Sequence, residues 1–483
     1  MPSSIVVGAG AGGLFAALSL QRAGHQVVLL EAKSRVGGCA SAFPIKQFRF
    51  LAGATTLIGL EPEMPLGQVM RELDLDFTAP VAEKNLTVWQ HGRPLTLSTN
   101  AVSNEEQLTA RYGSAFTRFW RESVKLGAAG WSLVTKVQFP PSRLSHLTHA
   151  ATQPAAWKLV PSLLRSTEAA LDACGDVPSE ARAMLDELLL VSTQANARQS
   201  PHLFGALGVE YLQRPLYLAD GGLPSLLEHL AAVFVARGGD LRLDTRVDRV
   251  SKQGAGFRVS AAAEALDAQN VVLNVTHWDA AAVLDGALQD TFAGTVGRHP
   301  DSWAACTLYL GVRDVFDDDA APYHQVLLER PMPASKGHSV FVTLSKRGDR
   351  LAAPDGWRAV TMSCHTPARE WEALEDVAHQ HRKGLVAEEF VAALATVFPA
   401  VAPAEKAVVM PGTPRTWASF TGRRGGRVGG LPFSFSTLSR GYPTGASGVP
   451  GLVRVGDTVF PGQSVPACAW GARRVVKDLL ERR

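Results

Sequence analysis

The stretch that decides the fold lies near the amino terminus and reads Ile5-Val6-Val7-Gly8-Ala9-Gly10-Ala11-Gly12-Gly13. Its three apolar residues predict the buried central strand of a parallel sheet. The glycines that follow satisfy G-x-G-x-x-G. In this pattern Gly8 permits a tight turn, Gly10 lets a phosphate group approach the backbone, and Gly13 lets the next helix pack closely on the strand.

The residues after the glycines complete a strand–helix–strand unit. The helix is expected to end near Gly24, and Gln26 to Leu30 predict a second strand. That strand delivers Glu31, 18 residues after Gly13, to the position where a carboxylate accepts hydrogen bonds from a ribose. Strand, glycines, helix, strand and acid in this order indicate a dinucleotide-binding domain of the Rossmann type, with the phosphates at the helix N-terminus.

Composition restricts the class of protein. A chain of 483 residues exceeds the roughly 150 residues of one domain, so two or three are expected. Hydrophobic residues make up 46% and charged ones 19%, and the net charge is +3, which favours a soluble globular enzyme and argues against a nucleic-acid partner. Five scattered cysteines without a Cys-x-x-Cys pair predict no metal site and a reducing cytoplasm. No apolar run reaches the roughly 18 residues of a spanning helix.

A second glycine pair follows the ribose acid in Arg35-Val36-Gly37-Gly38. This segment resembles the E-x(3)-R-x-G-G segment of the amine-oxidase and phytoene-desaturase superfamily of flavoproteins. The resemblance implies FAD as the cofactor, with this loop around its pyrophosphate and ribityl chain. Many members of that superfamily carry an arginine directly after the glycine pair, whereas Cys39 stands there in this chain, so one phosphate contact must come from elsewhere.

Further stretches are similar to the phytoene desaturase and carotenoid isomerase branch and run almost the length of the chain. Residues 48–55 resemble a segment near the flavin ring, although Leu51 replaces its usual aspartate. The region from Tyr217 to Val247 resembles the segment that ends on the adenine, and 413–429 resembles a stretch late in the substrate region.

The carboxyl-terminal stretch is the sharpest match to that branch. Leu452 to Asp457 reads as an apolar strand ending in Gly-Asp, and the resemblance implies that the carboxylate bonds the ribityl hydroxyls. Residues 460–466 resemble the H/F-P-G-x-G-x-P segment over the flavin, with Ser464 in place of its second glycine.

Together the motif and the resemblance predict a set of residues that hold a non-covalently bound FAD. They are Gly8, Gly10, Ala11, Gly12, Gly13, Glu31, Ala32, Lys33, Arg35, Gly37, Gly38, Cys39, Gly53, Ala54, Thr55, Val247, Gly456, Asp457, Gln463 and Val465. Cys468 is expected to be a buried thiol and not a covalent flavin attachment. No residue is singled out as a catalytic base, and four isolated histidines are expected to be structural: His202, His277, His324 and His365.

The predicted architecture is α/β, with a Rossmann-type FAD-binding domain interleaved with a mixed-sheet substrate domain and a helical, membrane-facing cap. The FAD-binding domain is expected to comprise 1–77, 215–278 and 445–483, the substrate domain 78–106 and 279–444, and the cap 107–214.

The cap carries a local basic excess. Between Gln107 and Thr167 eight basic residues face one acid, Glu122. The basic residues are Arg111, Arg118, Arg121, Lys125, Lys136, Arg143, Lys158 and Arg165, and among them lie Phe116, Phe119, Trp120, Trp131, Phe139, the loop Phe139-Pro140-Pro141 and Trp157. Aromatic and basic residues together favour a surface that dips into lipid headgroups, while a solvated basic face over core tryptophans is the alternative. The first interpretation predicts a cytoplasmic protein peripherally attached to a membrane.

The resemblance implies an FAD-dependent carotenoid desaturase, in which flavin N5 accepts a hydride from a long polyene, with a quinone or oxygen as the final electron acceptor. Residues 53–62 look similar to the C-3′,4′ desaturase subgroup. Three alternatives stay open: a carotenoid cis/trans isomerase or saturase of the same family, a flavin amine oxidase with Trp417 and Trp470 as its aromatic residues, and a non-catalytic prenyl-binding chaperone.

Overall fold

The computed structural model describes residues 2–136, 152–262, 264–299 and 302–481. The strands are β1 Ser3–Val7, β2 Gln26–Leu30, β3 Ala42–Ile45, β4 Phe48–Leu51, β5 Leu86–Gln90, β6 Arg93–Leu97, β7 Asp240–Arg242, β8 Val247–Gln253, β9 Gly256–Ala261, β10 Glu264–Ala268, β11 Asn270–Leu273, β12 Trp303–Arg313, β13 Tyr323–Leu327, β14 Ser339–Leu344, β15 Trp357–Pro367, β16 Lys406–Gly412 and β17 Leu452–Arg454.

The helices are α1 Ala11–Arg22, α2 Pro65–Glu72, α3 Ala101–Val134, α4 Pro154–Leu164, α5 Thr167–Asp172, α6 Ser179–Thr193, α7 His202–Tyr211, α8 Pro224–Ala236, α9 His277–Val283, α10 Ala287–Arg298, α11 Arg369–Glu372, α12 Asp376–Ala395, α13 Pro414–Thr421, α14 Phe435–Ser439 and α15 Val465–Glu481.

A five-stranded sheet with the order β17-β11-β1-β2-β7 forms the first layer, and its neighbouring strands are parallel. Helices α8 and α15 both pack against α1, so β1 is buried at the centre of the sheet as predicted. Because β17 comes from the far end of the chain, the amino-terminal and carboxyl-terminal segments share one sheet. Parallel strands also bring their carboxyl ends, where ligands bind, to one edge.

A seven-stranded mixed sheet forms the second layer, with the strand order β16-β12-β15-β14-β13-β5-β6. Its pairs are antiparallel except β13 with β5. The hairpin of β3 and β4 packs on this sheet, where Phe48 and Phe50 join a buried cluster with Tyr309. The hairpin therefore carries the segment after β4 across the face of the mixed sheet.

Helices α3 to α7 cover the end of the mixed sheet that β5 and β6 form. Helix α3 bends at Gly113, which has a φ of 85°. Its backbone lies so close to α7 that a Cβ at Gly127 would stand only 2.4 Å from the carbonyl oxygen of Ala206. Small residues at such crossings let two helix backbones approach each other. The predicted mixed α/β architecture is thus observed.

The aromatic residues of the predicted basic stretch divide by burial. Phe116, Phe119 and Trp120 are at most 1% exposed, so for them the alternative of core aromatics under a basic face is right. Trp157 is 62% exposed. Phe139-Pro140-Pro141 and Arg143 lie outside the described residues. Within the described ranges, no helix combines the length and apolar composition needed to cross a membrane.

Candidate functional site

A cavity of about 1190 Å³ lies between the parallel sheet, the mixed sheet and the helical layer. Nineteen of the twenty residues predicted to hold the cofactor line this cavity. The twentieth, Gly13, packs against the turn instead, since a Cβ there would stand 1.9 Å from the carbonyl oxygen of Gly8. The fold therefore brings together segments that are up to about 450 residues apart along the chain.

Glu31 ends β2 beside the glycine turn and is only 9% exposed. Its Oε2 accepts a hydrogen bond from the backbone N–H of Ala9 at 2.8 Å, and its Oε1 accepts one from Lys33 at 2.9 Å. Burial raises the pKa of this carboxyl, and the backbone hydrogen bonds oppose that shift. The carboxylate is thus fixed in position, with lone pairs left for a ligand hydroxyl.

Asn274 is a residue that the sequence analysis missed. It follows β11, and its Nδ2 donates to the carbonyl oxygen of Gly8 at 3.1 Å. A Cβ added at Gly12 or Gly456 would stand 2.7 or 2.8 Å from its Oδ1. The side chain therefore joins the glycine turn to the residues that follow β17, 455–468, which we call the tail segment. An asparagine directly after an apolar strand of a parallel sheet was the signal available in the sequence.

Arg423 is the second residue that the sequence analysis missed. Its Nη1 lies 2.7 Å from Oδ2 of Asp457, and the two side chains are 19% and 15% exposed. Burial alone would lower the pKa of Arg423, but Asp457 raises it above its ordinary value. Burial raises the pKa of the Cys39 thiol to about 11, with Arg423 opposing the shift. The charges of Arg423 and Asp457 therefore both act on the Cys39 thiol, and we refer to these three side chains as one electrostatic group.

The segment after β4, which the resemblance places near the flavin ring, is tied to the mixed sheet. Tyr309 Oη donates to the carbonyl oxygen of Ala52 at 2.5 Å, and Tyr323 Oη donates to that of Thr55 at 2.8 Å. A Cβ at Gly53 would stand 2.4 Å from the ring of Trp417. These contacts hold the segment against the cavity in one conformation.

The tail segment is tied to the helical layer. Gln463 Nε2 donates to the carbonyl oxygens of Val191 and Ser192, each at 2.8 Å. Val465 and Cys468 are buried, and burial raises the pKa of the Cys468 thiol. The two hydrogen bonds of Gln463, whose side chain lines the cavity, therefore fix that side chain to the carboxyl end of α6.

The far part of the cavity is apolar on its helical side. The side chains from α3, α4, α6 and α7 that line it include Trp131, Val134, Leu159, Leu163, Leu188, Leu203 and Leu207. The opposite wall is the mixed sheet, which presents Thr307, Gln325 and Ser363. Such a cavity suits a long apolar ligand whose orientation a few polar groups fix.

Three of the four histidines predicted to be structural do not line the cavity, but His365 does. Burial lowers the pKa of His365 to about 4, so its imidazole is neutral. His277 and His324 are at most 2% exposed. Within the described residues, no group of three or more His, Cys, Asp or Glu side chains is placed to hold a metal ion.

A nucleotide-binding parallel sheet joined to an apolar cavity defines a dinucleotide-dependent enzyme. Residues 11–479 match the family described as flavin containing amine oxidoreductase, and the chain belongs to that family. It is therefore an FAD-dependent oxidoreductase. The residues present fit this cofactor, because the glycines of the turn that line the cavity place no side chain of their own between the backbone and the cavity, and Glu31 keeps acceptor positions for a ribose.

Relatives confirm the predicted resemblance. The chain is 24% identical to the chloroplastic prolycopene isomerase of Daucus carota, over 99% of this chain and 80% of that protein. It is 27% identical to the hydroxyneurosporene desaturase of Cereibacter sphaeroides, over 99% of this chain and 98% of the relative.

Solved structures show the same fold. Putrescine oxidase bound to putrescine superimposes with a TM-score of 0.65 at 17% identity, over 100% of this chain and 99% of that one. A fatty acid isomerase from P. acnes gives 0.60 at 14% identity, over 99% and 98%.

Proposed function

We propose that this chain is a carotenoid desaturase, which removes a hydride and a proton from adjacent carbons of a long polyene and so adds one C=C bond. The observation that carries the proposal is the continuity of the cavity from Glu31 and Asp457, at the nucleotide end, to the apolar side chains of α4, α6 and α7. The carrot and Cereibacter relatives, whose names give polyene substrates, align over almost the whole chain.

The residues proposed to hold FAD divide along the cavity. The glycine turn and the N-terminus of α1 would bind the pyrophosphate, Glu31 the ribose, and the backbone of Val247 the adenine. Residues 53–55 would contact the ring and Asp457 the ribityl hydroxyls. FAD supplies, when bound, the N5 atom that accepts a hydride.

The chain's own part in the reaction is alignment and exclusion of water. The apolar helical wall removes the polyene from water, and the hydrogen bonds of Tyr309 and Tyr323 to the 52–55 segment keep that side of the cavity rigid. Because the position of the polyene selects the carbon pair that reacts, small displacements would change the product.

We also propose that the polyene enters from a membrane surface beside α4. Leu159 and Leu163 of this helix line the cavity, whereas Trp157 is 62% exposed and Leu164 is 79% exposed. An apolar helix that faces the cavity on one side and solvent on the other, with Lys158 next to Trp157, suits insertion among headgroups. A carotenoid could then pass from lipid to cavity without crossing water.

Flotation with liposomes tests the membrane contact. Trp157→Ser combined with Leu164→Ser is expected to reduce recovery with liposomes that contain anionic lipid. Val377→Ser is the matched control, because Val377 is 85% exposed but lies on α12. Full recovery of the unaltered protein in the soluble fraction, with and without anionic lipid, would refute the contact.

Anaerobic mixing of the holoprotein with lycopene-like polyenes tests the reaction. Desaturation bleaches the flavin absorbance and gives a product lighter by two hydrogens. Unaltered flavin absorbance with every polyene tested would contradict desaturation.

Cis/trans isomerisation is the second candidate, favoured by the prolycopene isomerase relative. Its product would have the mass of the substrate and a shifted polyene spectrum. A saturase product would be heavier by two hydrogens, so one mass spectrum separates the three reactions.

A further inference from the structure

The loop that the family places around the pyrophosphate has a neutral residue directly after its glycine pair, where many family members carry an arginine. Cys39 follows Gly37-Gly38, and its thiol is neutral because burial raises its pKa to about 11. The glycine turn and the N-terminus of α1 offer backbone N–H groups, and α1 has no basic residue in its first turn. A pyrophosphate carries two negative charges, which charge-assisted hydrogen bonds would stabilise.

Two other cations that line this part of the cavity, Lys33 and Arg35, make contacts on the protein side, whereas Arg246 is exposed and its Nη2 would stand 3.5 Å from a Cβ at Gly422. Lys33 Nζ donates to the carbonyl oxygen of Ser419 at 2.7 Å. Arg35 Nη1 donates to that of Ala42 at 3.3 Å, and its guanidinium lies 5.1 Å from the ring centre of Phe420. Both side chains are therefore held along the rim of the cavity.

Arg423 is placed differently. Its Nη1 bonds Asp457 at 2.7 Å and, weakly, the carbonyl oxygen of Arg427 at 3.5 Å. Among the described residues, Nε and Nη2 make no hydrogen bond with the protein, and neither is sealed from the cavity that the side chain lines. Asp457 orients the guanidinium, and the remaining N–H donors are available to an anion.

We propose that Arg423 binds the pyrophosphate of FAD and supplies the charge that Cys39 does not. This inference rests on the proposed FAD site. Arg423 lies 384 residues beyond Cys39, yet both side chains belong to the same electrostatic group as Asp457. A cation is thus provided from the loop after α13 and not from the glycine loop itself.

Titration of the deflavinated protein with FAD and with riboflavin, followed by flavin fluorescence, tests the proposal. Loss of one charge-assisted hydrogen bond predicts roughly 10- to 100-fold weaker FAD binding in Arg423→Gln. Riboflavin has no phosphate and can feel the substitution only through Asp457, the partner of Arg423, so its affinity should fall by a clearly smaller factor than that of FAD. Arg424→Gln is the matched control, because Arg424 is exposed and does not line the cavity.

A second set of variants moves the positive charge from position 423 to position 39. Cys39→Arg combined with Arg423→Gln should recover at least part of the lost FAD affinity, and Arg423→Lys should lose less than Arg423→Gln. Unchanged FAD affinity in Arg423→Gln, or an equal loss for riboflavin, would overturn the inference. Failure of the unaltered protein to bind FAD at all would instead overturn the proposed FAD site. Circular dichroism of each deflavinated variant shows whether it is folded.

Discussion

Replacement of Glu31 by glutamine perturbs the nucleotide end of the cavity through a change of one atom. Both carboxylate oxygens accept backbone hydrogen bonds, from Ala9 at 2.8 Å and from Lys33 at 2.9 Å. In Glu31→Gln one oxygen becomes an NH₂ group, which then faces a backbone N–H donor. The side chain is only 9% exposed, so water cannot readily replace the lost acceptor.

Two effects of opposite sign set the magnitude. A lost hydrogen bond to a charged group costs about 1.5–3 kcal/mol. Against this, burial raises the pKa of Glu31, so the neutral amide recovers part of the desolvation cost of the carboxylate. We expect the deflavinated protein to lose about 1–2 kcal/mol of unfolding free energy. If the carboxylate also binds a ribose, the dissociation constant of FAD should rise by about 10- to 100-fold.

Urea unfolding of the deflavinated protein measures the first quantity, and fluorescence titration with FAD measures the second. Glu228→Gln is the control, because the Glu228 side chain is 51% exposed and pairs with Arg49 at the surface. An FAD affinity within twofold of the unaltered protein would refute the ribose assignment. Unchanged unfolding free energy would refute the part assigned to the backbone hydrogen bonds.

Three further perturbations address the rest of the molecule. Asn274→Leu removes the hydrogen bond to Gly8 and should lower the unfolding free energy by about 1–3 kcal/mol and weaken FAD binding, as urea unfolding and titration would show. Leu207→Trp narrows the apolar part of the cavity and should raise the KM for a polyene while the flavin spectrum stays unchanged. Burial lowers the pKa of His324 to about 4, so the unfolded chain takes up its proton first and stability falls as the pH drops from about 6.5 towards 4. His324→Asn keeps an acceptor for the Trp89 indole. In thermal unfolding measured at several pH values, this variant should lose less stability between pH 6.5 and 4 than the unaltered protein.

The amino-terminal unit could be predicted because its signals are local. The predicted strand at Ile5 to Val7 lies within β1, Ser3–Val7, and the predicted second strand is β2, Gln26–Leu30. Burial on both sides demands continuous apolar strands, and a tight turn demands glycine, so a short window of sequence contains the whole pattern. The same holds for the Gly-Asp that follows β17, Leu452–Arg454.

Burial of the aromatic residues could not be predicted in this way. Trp120 and Trp157 both lie among basic residues in the sequence, yet Trp120 is fully buried and Trp157 is 62% exposed. The difference comes from packing: α3 lies against α7 at Gly127, which buries one face of α3, whereas of the residues of α4 only Leu159 is buried. Which side of a helix meets a neighbour depends on the tertiary fold.

Cys39 shows where the limit of the sequence lies. The resemblance to the flavoprotein superfamily indicated that a cation was missing after Gly37-Gly38, because the family pattern and the departure from it lie in adjacent residues. The group that meets Cys39 in space, Arg423 with Asp457, comes from two other segments whose proximity exists only after the parallel and mixed sheets have assembled. A pattern in one loop can therefore show that a charge is needed, while the fold decides which residue provides it. A neutral substitution at Cys39 should accordingly be tolerated as long as Arg423 keeps its position beside Asp457.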